Sequence, residues 1–204
     1  MLHVLKSGDP LEVSVLRAMF KARKEVFVDL LRWDVPVLGD TFEVDQFDNE
    51  HATYLVLAGR DGRHLGSARL LPTMRANILS SLYPMLCEGE VPRSVDTYEI
   101  TRFCLDRDLR ASERRLVRDA LVTSLVEHAL ENRIGAYCAV AHMSWFQQIL
   151  AFGWKCRPLG LPQMVGGTML AAARIIIEPD TPHRLSAAGI VPAPLPETAG
   201  RKAA

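Results

Sequence analysis

The stretch Tyr98-Glu99-Ile100-Thr101-Arg102-Phe103-Cys104-Leu105 constrains this chain more than any other. β-Branched and aromatic residues dominate it, a proline-containing loop precedes it and a basic turn follows, a pattern that predicts a β-strand. Yet a carboxylate and a guanidinium fall in what would be sheet interior, and desolvating either is costly unless it is paired or used. In a regular strand, side chains three residues apart point to opposite faces, which would separate Glu99 from Arg102. Only a β-bulge or a splayed strand end brings both into one cleft, and such irregularities recur beside active sites. Separate pairing of each charge with a neighbouring element is the structural alternative; the strand alone does not choose between them.

Around that strand the pattern predicts one domain with a tail. Residues 2–5 read as a strand. Residues 10–27 read as a helix with Leu11, Val15, Met19 and Ala22 or Val26 along one face, capped by Ser7 or Asp9 with Pro10 in its first turn. Arg23 and Phe27, four apart, would be neighbours on that helix. Residues 31–49, with Trp33, Pro36, Gly39 and Asp40, read as a long irregular connection, which inside a compact domain is usually functional. Strands at 53–58 and 64–71 join through Gly59-Arg60-Asp61-Gly62-Arg63, and the second carries Arg69 in an apolar setting. A helix over 112–132, a near-continuous apolar strand over 136–141, a helix over 143–152 and late strands at 154–157 and 171–178 follow. The sum is an α/β fold, a three-layer αβα sandwich with a mixed central sheet. The domain is expected to span residues 1–180, and the Pro/Ala-rich residues 181–204 to form a loosely packed or disordered tail.

Charge narrows the partners. Lys plus Arg and Asp plus Glu number 24 each, so no global field draws the chain to nucleic acid or a membrane, and any basic site must be local. The four cysteines, Cys87, Cys104, Cys138 and Cys156, form no CxxC pair; with no leader-like start, they read as reduced thiols of a cytoplasmic protein. Dinucleotide, P-loop, nucleophile-elbow and zincin motifs are missing from the sequence. Glu43, Asp45 and Asp48 crowd one loop, with neither EF-hand spacing nor a histidine partner, so no metal is expected there. Arg23, Arg69 and Arg102 are the natural counter-charges. With Phe27 and Trp33 beside them, the set suits a zwitterion that also carries an adenine or a sulfonium. A salt-bridged lid with aromatic packing is the structural reading of the same residues.

In order, Arg23, Phe27, Trp33, Asp45-Gln46-Phe47-Asp48, Arg69-Leu70-Leu71-Pro72-Thr73 and Glu99-Ile100-Thr101-Arg102-Phe103 closely resemble the acyl-homoserine-lactone synthase (autoinducer synthase) family. The likeness is dense over the first half and looser after it, through Gly153-Trp154 and Leu159-Gly160-Leu161-Pro162. It implies the GCN5-related N-acyltransferase fold, whose splayed strand pair opens a cleft for a thioester arm. It also implies two substrates, S-adenosylmethionine and an acyl thioester on acyl carrier protein or coenzyme A, and no cofactor. Amide formation is followed by lactonisation with loss of 5′-methylthioadenosine. By the same resemblance Glu99 is the base, Arg102 and Phe103 belong to the catalytic strand, and Arg23, Phe27, Trp33, Asp45, Asp48 and Arg69 surround S-adenosylmethionine. Arg69 and Asp48 read equally well as scaffold. Arg107, Arg110, Arg114 and Arg115, where the strand passes into the long helix, would meet the carrier and its phosphopantetheine; a solvated basic face is the bland alternative.

The acyl wall is expected along Ala141, His142, Met143, Ser144, Trp145 and Phe146. Where some 3-oxoacyl-producing relatives carry a threonine, this chain has the stretch Ala141–Ser144, with Ser144 the candidate stand-in; the resemblance leans only weakly away from a 3-oxo product. Trp145-Phe146 and residues 158–163 resemble a branch that uses acyl- or aryl-coenzyme A, although core packing explains either aromatic alone. His142 reads as a core histidine, and Cys104 as an inert strand residue rather than a nucleophile. Two other functions fit less of the chain. A plain N-acyltransferase would leave the acidic loop unexplained and should show a glycine-rich phosphate loop where Arg107-Asp108-Leu109-Arg110 stands. A non-enzymatic carrier-binding module would need only the basic patch.

Overall fold

The computed structural model describes residues 1–6, 13–191 and 194–196. Strand β1 (Leu2–Lys6) is followed by helix α1 (Val13–Arg23), which runs into a π-helical segment, Lys24–Leu30. A short hairpin, β2 (Val37–Leu38) and β3 (Phe42–Glu43), lies within the expected long loop, turned by Gly39 and Asp40, both at positive φ. Then come β4 (Thr53–Ala58), β5 (His64–Pro72), α2 (Ile78–Leu82), a 3-10 turn at Pro84–Leu86, β6 (Thr97–Leu105), α3 (Ala111–Glu131), β7 (Ala136–His142) and α4 (Met143–Ala151). β8 (Lys155–Pro158), β9 (Gln163–Val165), β10 (Thr168–Ile176) and α5 (Thr181–Ala187) complete the order. Ser7, Asp9, Pro10 and Leu11, expected to start the first helix, lie outside the described residues.

The main sheet runs β1-β4-β5-β6-β7-β10-β8, with β9 added to β10 through a turn at Gly166 and Gly167, both at positive φ. All neighbours are antiparallel except β6 and β7. α3, α4 and α5 cover one face, burying Val117, Leu121, Leu125, Phe146, Ile149 and Leu185 against Leu55, Leu70, Ile100 and Tyr137. α1 and α2 cover the other, over Tyr54, Val56 and Leu71 near α1 and Cys138 and Ala172 near α2. The expected αβα sandwich with a mixed sheet is therefore the observed fold. The domain does not stop at 180: Leu185 and Ile190 are buried in the larger core, so the first part of the expected tail is packed. Residues 197–204 of that tail lie outside the described residues.

Two features of the sheet position everything that follows. β6 and β7 pair only over Thr97–Glu99 and Ala136–Cys138, then part, leaving a wedge in mid-sheet. In β6 the pairing to β5 slips, since Ser67 faces Cys104 while Arg69 faces Thr101, so Arg102 and Phe103 together oppose Ala68. This is a β-bulge, and Arg102 takes the left-handed conformation (φ 49°) within it.

One strained point lies away from the wedge. His64 is buried, its Nε2 shares a 2.8 Å hydrogen bond with Ser67 Oγ, and its Nδ1 has no partner among the described residues. Burial pushes its pKa from 6.5 down to about 4. A depressed histidine contributes stability above its unfolded pKa and loses it as pH falls through the folded value. Replacing His64 by Gln should therefore flatten the decline in urea midpoint between about pH 6.5 and pH 4; an unchanged slope would refute this assignment.

Candidate active site

The bulge resolves the facing problem of β6. The Thr101 hydroxyl accepts a 2.9 Å hydrogen bond from Arg69 Nε, and Arg102 Nη2 reaches Asp45, which Arg69 also holds. Thr101 and Arg102, though consecutive, thus point into one network, on the face that Glu99 shares by alternation from Thr101. Phe103 turns to the opposite face, against Trp145 (ring centroids 5.2 Å apart).

Among the described residues that network joins three guanidinium and three carboxylate groups. Arg23 Nε donates to Glu43 Oε2 at 2.6 Å, and its two terminal nitrogens bind Asp48 at 2.9 Å each. Arg69 is bidentate on Asp45 at 2.6 and 3.1 Å and reaches Asp48 at 2.8 Å. Arg102 spans Glu43 and Asp45 at 3.0 and 2.7 Å. The Tyr54 hydroxyl and the Asp45 N–H both donate to Asp48. Burial opposes ionisation of Asp48, but the bond and charge of Arg23 and the charge of Arg69 outweigh it and hold the carboxyl well below the usual carboxylate range. Hairpin β2–β3 delivers Glu43, α1 delivers Arg23, and β5 and β6 deliver the other two arginines. Glu43 enters the network as a full partner, buried and shared by Arg23 and Arg102, a role its place beside Asp45 in the sequence only hinted at.

A cavity of about 370 Å³ opens through the wedge between β6 and β7. Phe27, Leu30, Leu31, Trp33, Arg102 and Phe103 line one part of it. Ala139, Ala141, His142, Ser144 and Trp145 line the wall, and Leu125, Ile149, Phe152, Trp154 and Ile175 the apolar end. Across the mouth run three parallel rings. Trp33 stacks on Phe27 at 4.7 Å and on His142 at 5.6 Å, with interplanar angles of 11° and 12°. Phe27 lies in the π-helical segment that follows Arg23 and lines the cavity, whereas Arg23 does not. Trp154 is fixed at the far end by a hydrogen bond from its indole N–H to the Ile149 carbonyl.

The expected site residues therefore divide. Phe27, Trp33, Arg102, Phe103, Ala141, His142, Ser144 and Trp145 line the cavity. Arg23, Asp45, Asp48 and Arg69 do not; their side chains, at most 5% exposed, form the support behind it. Phe146, buried in the core, and Met143, packed against it, are not among the residues that line the cavity. His142 is exposed and ring-stacked, not a core histidine: it is the last residue of β7, still paired with Leu170 of β10, but β6 pairs with β7 only as far as Cys138 and leaves that side open. Of the basic group, Arg114 reaches the cavity and donates to the Asp106 carbonyl, while Arg107, Arg110 and Arg115 are exposed around the start of α3. Cys104 is buried, which pushes its thiol up to about 12 and leaves it inert at neutral pH.

Glu99 stands at the last β6–β7 pair, where the wedge begins, and is buried just outside the cavity lining. Its oxygens accept from the Ile78 and Leu79 N–H groups at 2.7 and 2.9 Å. Burial nevertheless pushes its pKa up to about 7, against those bonds and the charges of Arg69 and Arg102.

A sheet split at mid-width, a bulge beside the split and an apolar cavity at it define an acyltransferase-type fold. A putative N-acetyltransferase from Lactobacillus plantarum shares that fold (15% identity, TM-score 0.56, over 86% of this chain and 99% of that one). The family model described as autoinducer synthase matches residues 9–185. The chain belongs to the autoinducer synthase family, and it is an enzyme of the transferase class. A probable acyl-homoserine-lactone synthase of Sinorhizobium fredii is 30% identical over 190 residues, covering 90% of each chain. The coenzyme A-dependent acyl-homoserine lactone synthase BjaI, solved with S-adenosylmethionine and isopentyl-CoA, superposes with a TM-score of 0.82 at 28% identity, over 92% of this chain and 87% of that one. A second coenzyme A-dependent synthase, MesI, gives 0.83 at 26% identity over 96% and 98%. No helix among the described residues is long and apolar enough to cross a membrane, and no side-chain cluster among them is placed to hold a metal ion.

Proposed function

We propose that this enzyme makes an N-acyl-L-homoserine lactone from S-adenosylmethionine and an acyl thioester, with coenzyme A as the carrier. The observation that carries the reading is the cavity itself, with stacked rings and a guanidinium at one end and an apolar pocket at the other, joined at the parted strands. The solved coenzyme A-dependent relatives support the choice of carrier. Phe27 and Trp33 line the cavity with aromatic surface suited to an adenine and a sulfonium, and a ligand that stacks on Trp33 does so in place of Phe27 or His142, which hold its two faces here. Arg102, the most accessible arginine of the network, is placed to meet the methionyl carboxylate. Arg107, Arg110, Arg114 and Arg115 supply positive charge where the phosphates of the carrier arm would lie.

In the first step the ammonium of S-adenosylmethionine gives one proton to Glu99, through water at the wedge. The free amine attacks the thioester carbon, and the carrier leaves as its thiol with the second proton. Backbone N–H groups at the Arg102–Phe103 bulge, out of register with β5, are the donors for the developing oxyanion. In the second step the methionyl carboxylate attacks its own γ-carbon, and the C–S bond breaks with its electron pair going to sulfur. That displacement needs positioning more than acid–base help. The test is mass spectrometry of the purified enzyme with S-adenosylmethionine and a panel of acyl thioesters on both carriers. Methylthioadenosine and a lactone formed together support the reading, and the more efficient carrier names the donor. Thiol release without methylthioadenosine would make the chain a plain N-acyltransferase.

A further inference from the structure

Helix α2 is only five residues long, too short to hold its shape by its own hydrogen bonds. Its first amide groups are nonetheless all satisfied, and by two side chains. Ile78 and Leu79 donate to the two oxygens of Glu99, and Ser80 donates to Asn77 Oδ1 at 3.0 Å. Asn77 is 1% exposed, and its side-chain amide donates back to the Arg75 carbonyl at 2.9 Å while its own carbonyl accepts from Ser81. A single buried side chain thus ties both the approach to the turn and the turn itself. The charged or titratable groups that face Glu99 are Arg69 of β5, Arg102 of its own strand and the Cys138 thiol of β7; α2 presents only N–H groups.

We propose that Asn77 is the positioning residue of Glu99, holding the Ile78 and Leu79 N–H groups on the carboxylate and thereby setting the pH at which Glu99 can accept the substrate proton. This rests on Glu99 being the base of the reaction proposed above. Hydrogen bonds to a carboxylate stabilise its charged form, so loosening the turn weakens that stabilisation and displaces the titration upward. Glu99 remains buried while it loses donors, and the charges of Arg69 and Arg102 are unaltered by the change.

The experiment is the pH dependence of kcat/KM, read as methylthioadenosine release, for the wild-type, Asn77→Ala and Asn77→Ser enzymes. Asn77→Ala should move the acidic limb up by about half to one pH unit, with kcat/KM recovering at higher pH. Ser keeps a capping oxygen but not the donor to Arg75, so Asn77→Ser should fall between the two. If the alanine variant does not fold, the serine variant carries the test alone, with the same direction expected. The ¹³C shift of the Glu99 carboxyl carbon reads the same displacement without turnover. A uniform fall in rate at every pH, with the carboxyl titration unmoved, would overturn the proposal. Persistence of the limb in Glu99→Gln would instead overturn the assignment of Glu99 as the base.

Discussion

Asp48→Ala should lower the unfolding free energy by about 3–5 kcal/mol, the cost of breaking a buried ion pair from one side. The reason lies in what is left behind. Arg23 loses a bidentate partner at 2.9 Å, Arg69 loses a contact at 2.8 Å, and the Tyr54 hydroxyl and the Asp45 N–H lose their acceptor, all in a region almost without solvent. The measurement is the urea midpoint of the variant against wild type near neutral pH. Because the folded pKa of Asp48 is depressed, its contribution is present above the ordinary value of 3.8 and is lost as pH falls below it, so the difference should narrow in acid. A difference under about 1 kcal/mol would put the network in the class of exposed pairs that contribute little.

Glu99→Gln should slow amide formation by about 10²–10⁴-fold, the usual worth of a positioned general base. Gln cannot accept the proton, and its amide nitrogen would face one of two backbone donors that now meet carboxylate oxygens. The informative readout is therefore the pH profile as well as the rate. Wild type should show an acidic limb near pH 7, where burial places the Glu99 titration, and the variant should show none. Single-turnover acyl transfer, followed by loss of the thioester, separates this from any effect on lactonisation. Equal rates for the two enzymes at high pH would remove Glu99 from the mechanism.

Much of this site was legible in the sequence because charge in an apolar context is a strong constraint. Glu99 and Arg102 could share a face only through an irregular strand, and the bulge with Arg102 at φ 49° is that irregularity. Likewise, three acids in one loop demanded cations, and Arg23, Arg69 and Arg102, read as their counter-charges, are the arginines that answer them. Features governed by tertiary contact were less visible. β9 is three residues long and pairs on one side only, too short for any periodicity to register. α5 is anchored mainly through Leu185, so its Pro/Ala-rich surroundings masked it. The shift from α to π geometry after Arg23 leaves no mark in the spacing of apolar residues, and the spacing did not show that Phe27 lines the cavity while Arg23 belongs to the network behind it.

The contrast between the two groups of arginines has a practical consequence. Arg23 and Arg69 are sealed among carboxylates with a net charge of zero, whereas Arg107, Arg110 and Arg115 stand in solvent at the start of α3. Mobile ions screen exposed charges over about 8–10 Å near physiological ionic strength and reach buried pairs far less. Ionic strength is therefore a dial that turns one group and not the other. Added salt should raise the KM for the charged thioester carrier while leaving kcat and the melting temperature nearly fixed, so docking of the carrier can be titrated apart from the chemistry in a single unmutated protein.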